Sequence, residues 1–411
     1  MSAIGGSPAV RAHHIDYVIA LVVTVLLAGG LIMMYSISPI LSHKLLGNTN
    51  QNYYFVNQIR YVLLGLVGWI VATAIPYPVW RRWAPKLLLV AGVAVAALLV
   101  PGLSQSSHGA TRWIQLGPVS VQPAELLKLA LILYLAVWFE RRQQDIRSWW
   151  DGVVPFCIMI GAACFVIVIL QRDMGTMMVL LLAALGMFYA AGMRLNHLGT
   201  VLAGGAVAGG AAIALFPHRV ERLVTFLNPR CDDPKFALDS SLHVCQALLG
   251  VGSGGLIGLG LGHSIQVYGY LPEAANDSIF AIIAEEFGLI GSIAVVGLFG
   301  LLVYRGLRVA RAAPDVFARL VATGISLWLL FQSIINIGAM LSLVPLTGIP
   351  LPFISYGGTS LVVSLFAAGI LLNISKYTVR EVSDASSRER RGISRPHFAD
   401  TGNQRRVKVA R

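Results

Sequence analysis

Charge is what this sequence has least of. Only 12% of its 411 residues are Asp, Glu, Lys or Arg, against about 25% in an average soluble domain, while 56% are hydrophobic. That balance excludes an ordinary soluble fold and points to a membrane protein. A cleavable signal peptide is also missing, because the first apolar run, Tyr17 to Tyr35, is too long for one and no small-residue cleavage site follows it. The run is expected to stay as an anchor. No internal repeat is visible, which weakens a transporter assembled from repeats, and no compact metal-ligand motif occurs. Acids are scarcer than bases, 19 against 31, for a formal net charge of +12. The basic residues fall mainly in short loops and at the C-terminus, so topology rather than nucleic acid accounts for them.

What is present is a series of long apolar runs. Ten spans are expected, at about 16–36, 59–76, 87–103, 123–140, 152–170, 174–193, 198–217, 278–303, 319–341 and 358–374. This is an all-α polytopic membrane protein. Residues 1–14 form a cytoplasmic lead, 15–377 one transmembrane domain, and 378–411 a basic cytoplasmic tail expected to be disordered and to rest on anionic lipid headgroups. A cytoplasmic N-terminus puts Arg81, Arg82, Arg141, Arg142, Arg305, Arg308, Arg311 and the tail inside, as the positive-inside rule requires. Both termini are then cytoplasmic. The long loop of about 218–277, between the seventh and eighth spans, is extracytoplasmic, and loops of that length are usually functional. Within it, Leu248–Gly262 is apolar but rich in glycine, as a re-entrant or interfacial segment would be.

Four of the 19 acids are concentrated in residues 271–286. Glu273 and Asp277 precede the eighth span and Glu285 and Glu286 lie within it, where a charge costs roughly 2.5 to 3.5 kcal/mol unless paired or wetted. Asp277 can be a helix N-cap, a catalytic carboxylate, or both. Glu285 and Glu286 read as carboxylates that hold helices together, with Lys128 as the expected cross-helix partner of Glu285. Glu125 and Lys128 are three residues apart and can pair on one helix face. Arg112, beside Trp113, is either an interfacial anchor or a cation for phosphate, and Arg219 and Arg222 carry the same ambiguity. Asp173 reads as a turn or capping residue. The prolines and glycines of Pro345–Gly358 demand an ordered non-helical loop under or beside the long one. Of the four cysteines, Cys157 and Cys164 read as small hydrophobes, whereas Cys231 and Cys245 share the oxidising outer side and are expected to form a disulfide.

These segments together resemble the SEDS family (shape, elongation, division and sporulation), the FtsW and RodA type of peptidoglycan glycosyltransferase. The resemblance covers about residues 15–378 and rests on GATRWIQLG and VQPAELLKL (109–129), QRDMGT (171–176), GVGSGGLIGLGLG (250–262), YLPEAANDSIFAIIAEE (270–286) and PLTGIPLPFISYGGTS (345–360), in that order. The spacing from GLGHSIQ to YLPEA is closer to the FtsW branch. The resemblance implies a ten-helix SEDS fold and polymerisation of lipid II, the undecaprenyl-pyrophosphate disaccharide pentapeptide, outside the cytoplasmic membrane for cell division or shape. It places Asp277 at the family's catalytic aspartate, and Arg112 and Lys128 at polar positions near the substrate cavity. It further implies a class B penicillin-binding protein and other division or elongation proteins as partners. Departures are Asn276 and Ser278 in place of Thr and Phe around the aspartate, Arg172 in place of Pro, and Val267 where division members often have Lys.

On this reading Asp277 takes a proton from, or positions, an attacking sugar hydroxyl. Arg112, Lys128, Arg219 and Arg222, with Glu273, line the substrate site, while Glu125 and Glu285 are structural. No organic cofactor is expected; a divalent cation, Mg or Mn, could share the charge of the leaving pyrophosphate. Two rival readings are a flippase for lipid-linked precursor and a non-enzymatic division scaffold.

Overall fold

The computed structural model describes residues 14–46, 51–100, 104–107, 110–116, 119–214, 217–228, 231 and 240–378. Nearly all of the lead and of the tail expected from sequence lies outside the described residues. Among the described residues there are twelve α-helices: α1 (Tyr17–Leu46), α2 (Tyr53–Ala74), α3 (Tyr77–Ala96), α4 (Pro123–Arg141), α5 (Val154–Leu170), α6 (Met174–Ala190), α7 (Leu195–Ala214), α8 (Pro217–Leu227), α9 (Ser240–Ser253), α10 (Ile279–Arg311), α11 (Val316–Met340) and α12 (Gly358–Ser375). Each of the ten expected spans overlaps one of them, the third only over 87–96. Helices α2 and α3 start at Tyr53 and Tyr77, earlier than hydropathy suggested, because their first turns carry Asn57, Gln58 and Arg60, or Arg81 and Arg82, which an apolar window leaves out. Among the described residues, seven helices are long and apolar enough to cross a membrane.

Two features of the loops expected to lie outside depart from expectation. Residues ahead of α4 form an antiparallel sheet, β1 (Ser104–Ser107), β2 (Ala110–Leu116) and β3 (Val119–Val121), in the order β1-β2-β3. The long loop is not loop throughout, since α8 and α9 fall inside it. Both are too short or too mixed to register as spans.

Helix α4 lies at the centre. Leu127, Leu129, Leu131, Leu133 and Leu135 are buried on opposite sides of it, as befits a helix packed on every side. Helices α11 and α12 are buried likewise, whereas α3 and α5 present exposed Leu89, Val90, Ile158 and Phe165, the faces a lipid would cover. Carboxylates set several helix starts. Asp173 caps α6, accepting from Thr176 N at 3.0 Å and from its hydroxyl at 2.8 Å, and Asp315 caps α11 through Ala318 N. At the start of α1, Asp16 accepts from Val18 N and also pairs with Arg305 near the end of α10, 2.7 Å away. The α1 and α10 ends are thus stapled together.

Helix α10 is broken at Gly288, whose φ of 65° and ψ of −160° are non-helical. The break frees backbone groups that hydrocarbon cannot satisfy, and the glycine segment after α9 supplies their partners. Leu259 and Gly260 N–H donate to the carbonyls of Glu285 and Glu286 at 2.9 and 3.0 Å, while Leu289 and Ile290 N–H donate to Gly255 and Leu256 at 2.9 and 3.2 Å. Such contact needs bare backbone. A Cβ on Gly258, where φ is +82°, would lie 2.1 Å from the Glu286 carbonyl oxygen. Gly258→Ala is therefore expected to lower stability by about 1–3 kcal/mol or more, read as a reduced thermal midpoint in detergent; an unchanged midpoint would show that the contact is dispensable. Of the expected re-entrant stretch, residues up to Ser253 continue α9 and the remainder forms this seat.

Candidate active site

The segment Leu271–Ser278 delivers Asp277 to the mouth of α10. Helix α10 has Ser278 as its N-cap, with no side-chain cap bond, so of the alternatives open to Asp277 the N-cap position is not the one it takes. The turn is held from several sides. Asn276 and Ser278 N–H donate to the Glu273 carbonyl at 2.9 and 3.3 Å, Leu271 N–H donates to Gln266, and Tyr356 N–H donates to Ala275 at 2.8 Å. Asn336 of α11 uses one amide nitrogen twice, donating to the Asp277 carbonyl at 2.7 Å and to the Ile349 carbonyl at 2.8 Å, which its two hydrogens permit. One turn earlier on α11, Gln332 donates to the Pro350 carbonyl at 2.8 Å. The proline-rich segment thus packs beside the Asp277 turn, as its composition required.

Asp277 is 9% exposed and lines a cavity of about 150 Å³. Thr225 and Phe226 of α8, His243 and Val244 of α9, and Val344, Leu346 and Gly348 after α11 complete its wall. Cys231 and Cys245 are disulfide-bonded, their Cα atoms 5.6 Å apart. The bond ties the chain just beyond α8 to α9, the two helices that supply one side of the cavity. Arg219 and Arg222 lie in α8 upstream of Thr225 and Phe226; their side chains lie outside the described residues.

Other expected site residues are placed elsewhere. Arg112 in β2 donates from Nε to the Gln171 carbonyl at 3.0 Å and from Nη2 to the Arg172 carbonyl at 2.8 Å. It fastens the sheet to the tight α5–α6 turn, where Arg172 has a φ of 50°. Glu273, itself at a φ of 48°, turns back so that its carboxylate accepts from Asn276 Nδ2 within its own turn. Glu125 and Lys128 pair at 2.9 Å with both side chains buried. Lys128 Nζ also donates to Gln332 Oε1 at 2.9 Å and stands 5.1 Å above the Trp328 ring.

The expected Lys128–Glu285 pair is corrected. Glu285 instead accepts from the Ser264 hydroxyl, from Ile265 N–H at 3.0 Å and from Gln266 N–H at 3.4 Å. Glu286 accepts from Ser36 Oγ at 3.1 Å and Gly262 N–H at 3.0 Å. A buried carboxylate can be carried by convergent N–H and O–H donors instead of a cation. Both glutamates therefore do hold elements together, by fastening the segment after the glycine seat to α10 and α1.

Three residues of this region escaped sequence reading. Gln332 and Asn336 had a usable signal, being amides four apart in an apolar span and so on one helix face. His243 had none, since a lone histidine in a long loop carries no periodicity. Among the described residues no group of three or more His, Cys, Asp or Glu is gathered as a metal site. The cavity offers one carboxylate and one imidazole.

Comparison with known proteins gives a consistent picture. The family described as cell cycle protein, of the FtsW, RodA and SpoVE type, matches residues 16–380. The chain is 37% identical over 367 residues to stage V sporulation protein E of Bacillus subtilis, covering 88% of this chain and 97% of that one. It is 38% identical over 369 residues to a probable peptidoglycan glycosyltransferase FtsW of Trichlorobacter lovleyi, covering 89% and 94%. A chain solved in a study of polymerization and crosslinking by a peptidoglycan synthase complex superposes with a TM-score of 0.69 at 26% identity, covering 88% and 97%. The rod shape determining protein RodA of Thermus thermophilus superposes with a TM-score of 0.62 at 26% identity, covering 89% and 98%.

Proposed function

The chain belongs to the FtsW, RodA and SpoVE family of cell cycle proteins and is a peptidoglycan glycosyltransferase, and we propose that it polymerises lipid II at the Asp277 cavity. The observation that carries the assignment is the placement of Asp277, a carboxylate at the wall of a cavity beside a membrane-spanning helix. Chain growth makes one C–O bond and breaks another. The Asp277 carboxylate accepts the proton of a sugar hydroxyl on one lipid-linked unit as its oxygen attacks the anomeric carbon of the second. The bond to diphosphate breaks, and its electron pair leaves with the lipid diphosphate.

That leaving group needs cationic stabilisation. Arg219 and Arg222, on the helix that lends Thr225 and Phe226 to the cavity, are the residues we assign to it. Lys128 is committed to Glu125 and Gln332, and Arg112 to two carbonyls, so neither is given the diphosphate. The Asp277 carboxylate could hold a divalent cation whose remaining ligands are water and substrate phosphate oxygens; such an ion would neutralise the leaving diphosphate.

The cavity is assigned to the outer face and both termini to the cytoplasm. The Cys231–Cys245 disulfide beside the cavity supports an oxidising compartment, and the basic residues at the ends of α4 and α10 support the opposite face as cytoplasmic. The partner is a class B penicillin-binding protein, which would cross-link the strands, in line with the complex to which a structural neighbour belongs. The test is to incubate purified chain, with and without that partner, with lipid II in detergent. Glycan polymer is expected. Transport of lipid II across vesicle bilayers without polymer in detergent would support the flippase reading instead.

A further inference from the structure

Ser278 stands where the family resemblance leads one to expect Phe, and the structure gives that difference a partner. Ser278 Oγ donates to the Pro272 carbonyl at 2.9 Å, and His243 Nε2 lies 2.6 Å from the same oxygen. A serine hydroxyl has one hydrogen. With that hydrogen on Pro272, the His243 contact requires Nε2 to carry the proton and Ser278 Oγ to accept it. The chain His243 Nε2–H to Ser278 O–H to Pro272 C=O then clamps both ends of the turn that contains Asp277. Because His243 and Asp277 also line the same cavity, the clamp stands at the reacting centre.

We propose that His243 is a positioning residue for Asp277, acting through Ser278. The inference rests on the glycosyltransferase reading for its kinetic consequence but not for its structural one. Helix α9, anchored by the Cys231–Cys245 disulfide, holds the imidazole; the imidazole orients the Ser278 hydroxyl; the hydroxyl fixes Pro272 relative to the first turn of α10. Loss of any link lets the carboxylate drift from the attacking hydroxyl, and small misplacements of a catalytic group are costly in rate.

The experiment compares wild type with His243→Ala, His243→Gln, Ser278→Ala and the His243→Ala/Ser278→Ala double variant in lipid II polymerisation. Hydrogen exchange of the peptide spanning residues 271–279 is measured in parallel. His243→Ala and Ser278→Ala should each lower kcat roughly tenfold, about the rate equivalent of one hydrogen bond, with KM nearly unchanged. The double variant should lose no more than either single one. His243→Gln keeps a donor nitrogen near the Nε2 position and should recover most of the rate. Exchange in 271–279 should speed up in both alanine variants and stay slow in His243→Gln.

A generally loosened α9 would instead lower kcat and raise KM together, without rescue by Gln. Wild-type kcat and unchanged exchange in His243→Ala overturn the proposal, as do losses that multiply in the double variant. If the wild type makes no polymer, the polymerase reading falls; exchange alone then decides whether His243 holds the turn.

Discussion

Asp277→Asn is expected to abolish glycan polymerisation, lowering the rate by at least about a hundredfold, the lower end of what a positioned general base contributes. The substitution keeps the shape of the side chain and removes its capacity to take a proton. Folding should survive, because the turn is held by backbone groups: the Asp277 carbonyl accepts from Asn336, the Ala275 carbonyl from Tyr356 N–H, and the Glu273 carbonyl from Asn276 and Ser278 N–H. The measurement is lipid II polymerisation by variant and wild type, with matched elution in detergent and an intact Cys231–Cys245 bond as evidence of native structure. Polymerisation at the wild-type rate would remove Asp277 from the chemistry.

The largest effect on stability is expected at the centre of the bundle. Lys128→Met should destabilise the protein by about 3–5 kcal/mol, because it leaves the Glu125 carboxylate buried without its cation. Glu125 is 1% exposed, and its Oε2 has no hydrogen-bond partner among the described residues, so little else compensates its charge. Replacing both partners, Glu125→Leu with Lys128→Met, should recover most of the loss, since an apolar pair of similar volume is often neutral or better than a buried ion pair. Thermal unfolding in detergent decides the matter: if the double variant is as unstable as Lys128→Met, the cost does not come from the orphaned charge. Activity follows a separate prediction. Gln332 accepts from Lys128 and from Trp328 Nε1 while donating to Pro350, so losing Lys128 should also disturb the segment packed beside Asp277.

Membrane residence, the order of the helices and the neighbourhood of Asp277 were legible in the sequence because each is written locally. Apolar run length reports a span, a carboxylate such as Asp173 ahead of an apolar run reports a helix start, and prolines with glycines report a loop that cannot be helical. The Glu125–Lys128 pair belongs to the same class, since three residues' separation puts both on one helix face whatever surrounds the helix.

Partnerships between distant segments were not written locally. Glu285 was assigned a cation because sequence can count charges, but it cannot count converging N–H groups; the donors from 264–266 exist only once the chain has folded back on α10. Arg112 met two carbonyls at the α5–α6 turn for the same reason, and no periodicity could have joined His243 to Ser278. The sequence by itself determined that this chain lives in a bilayer and which stretch presents Asp277, because hydrophobic length and local backbone chemistry act over a few residues. Only the tertiary structure decided which polar groups face one another around that carboxylate, because in a low-dielectric interior every buried donor and acceptor must find a partner, and most of those partners lie far away in sequence.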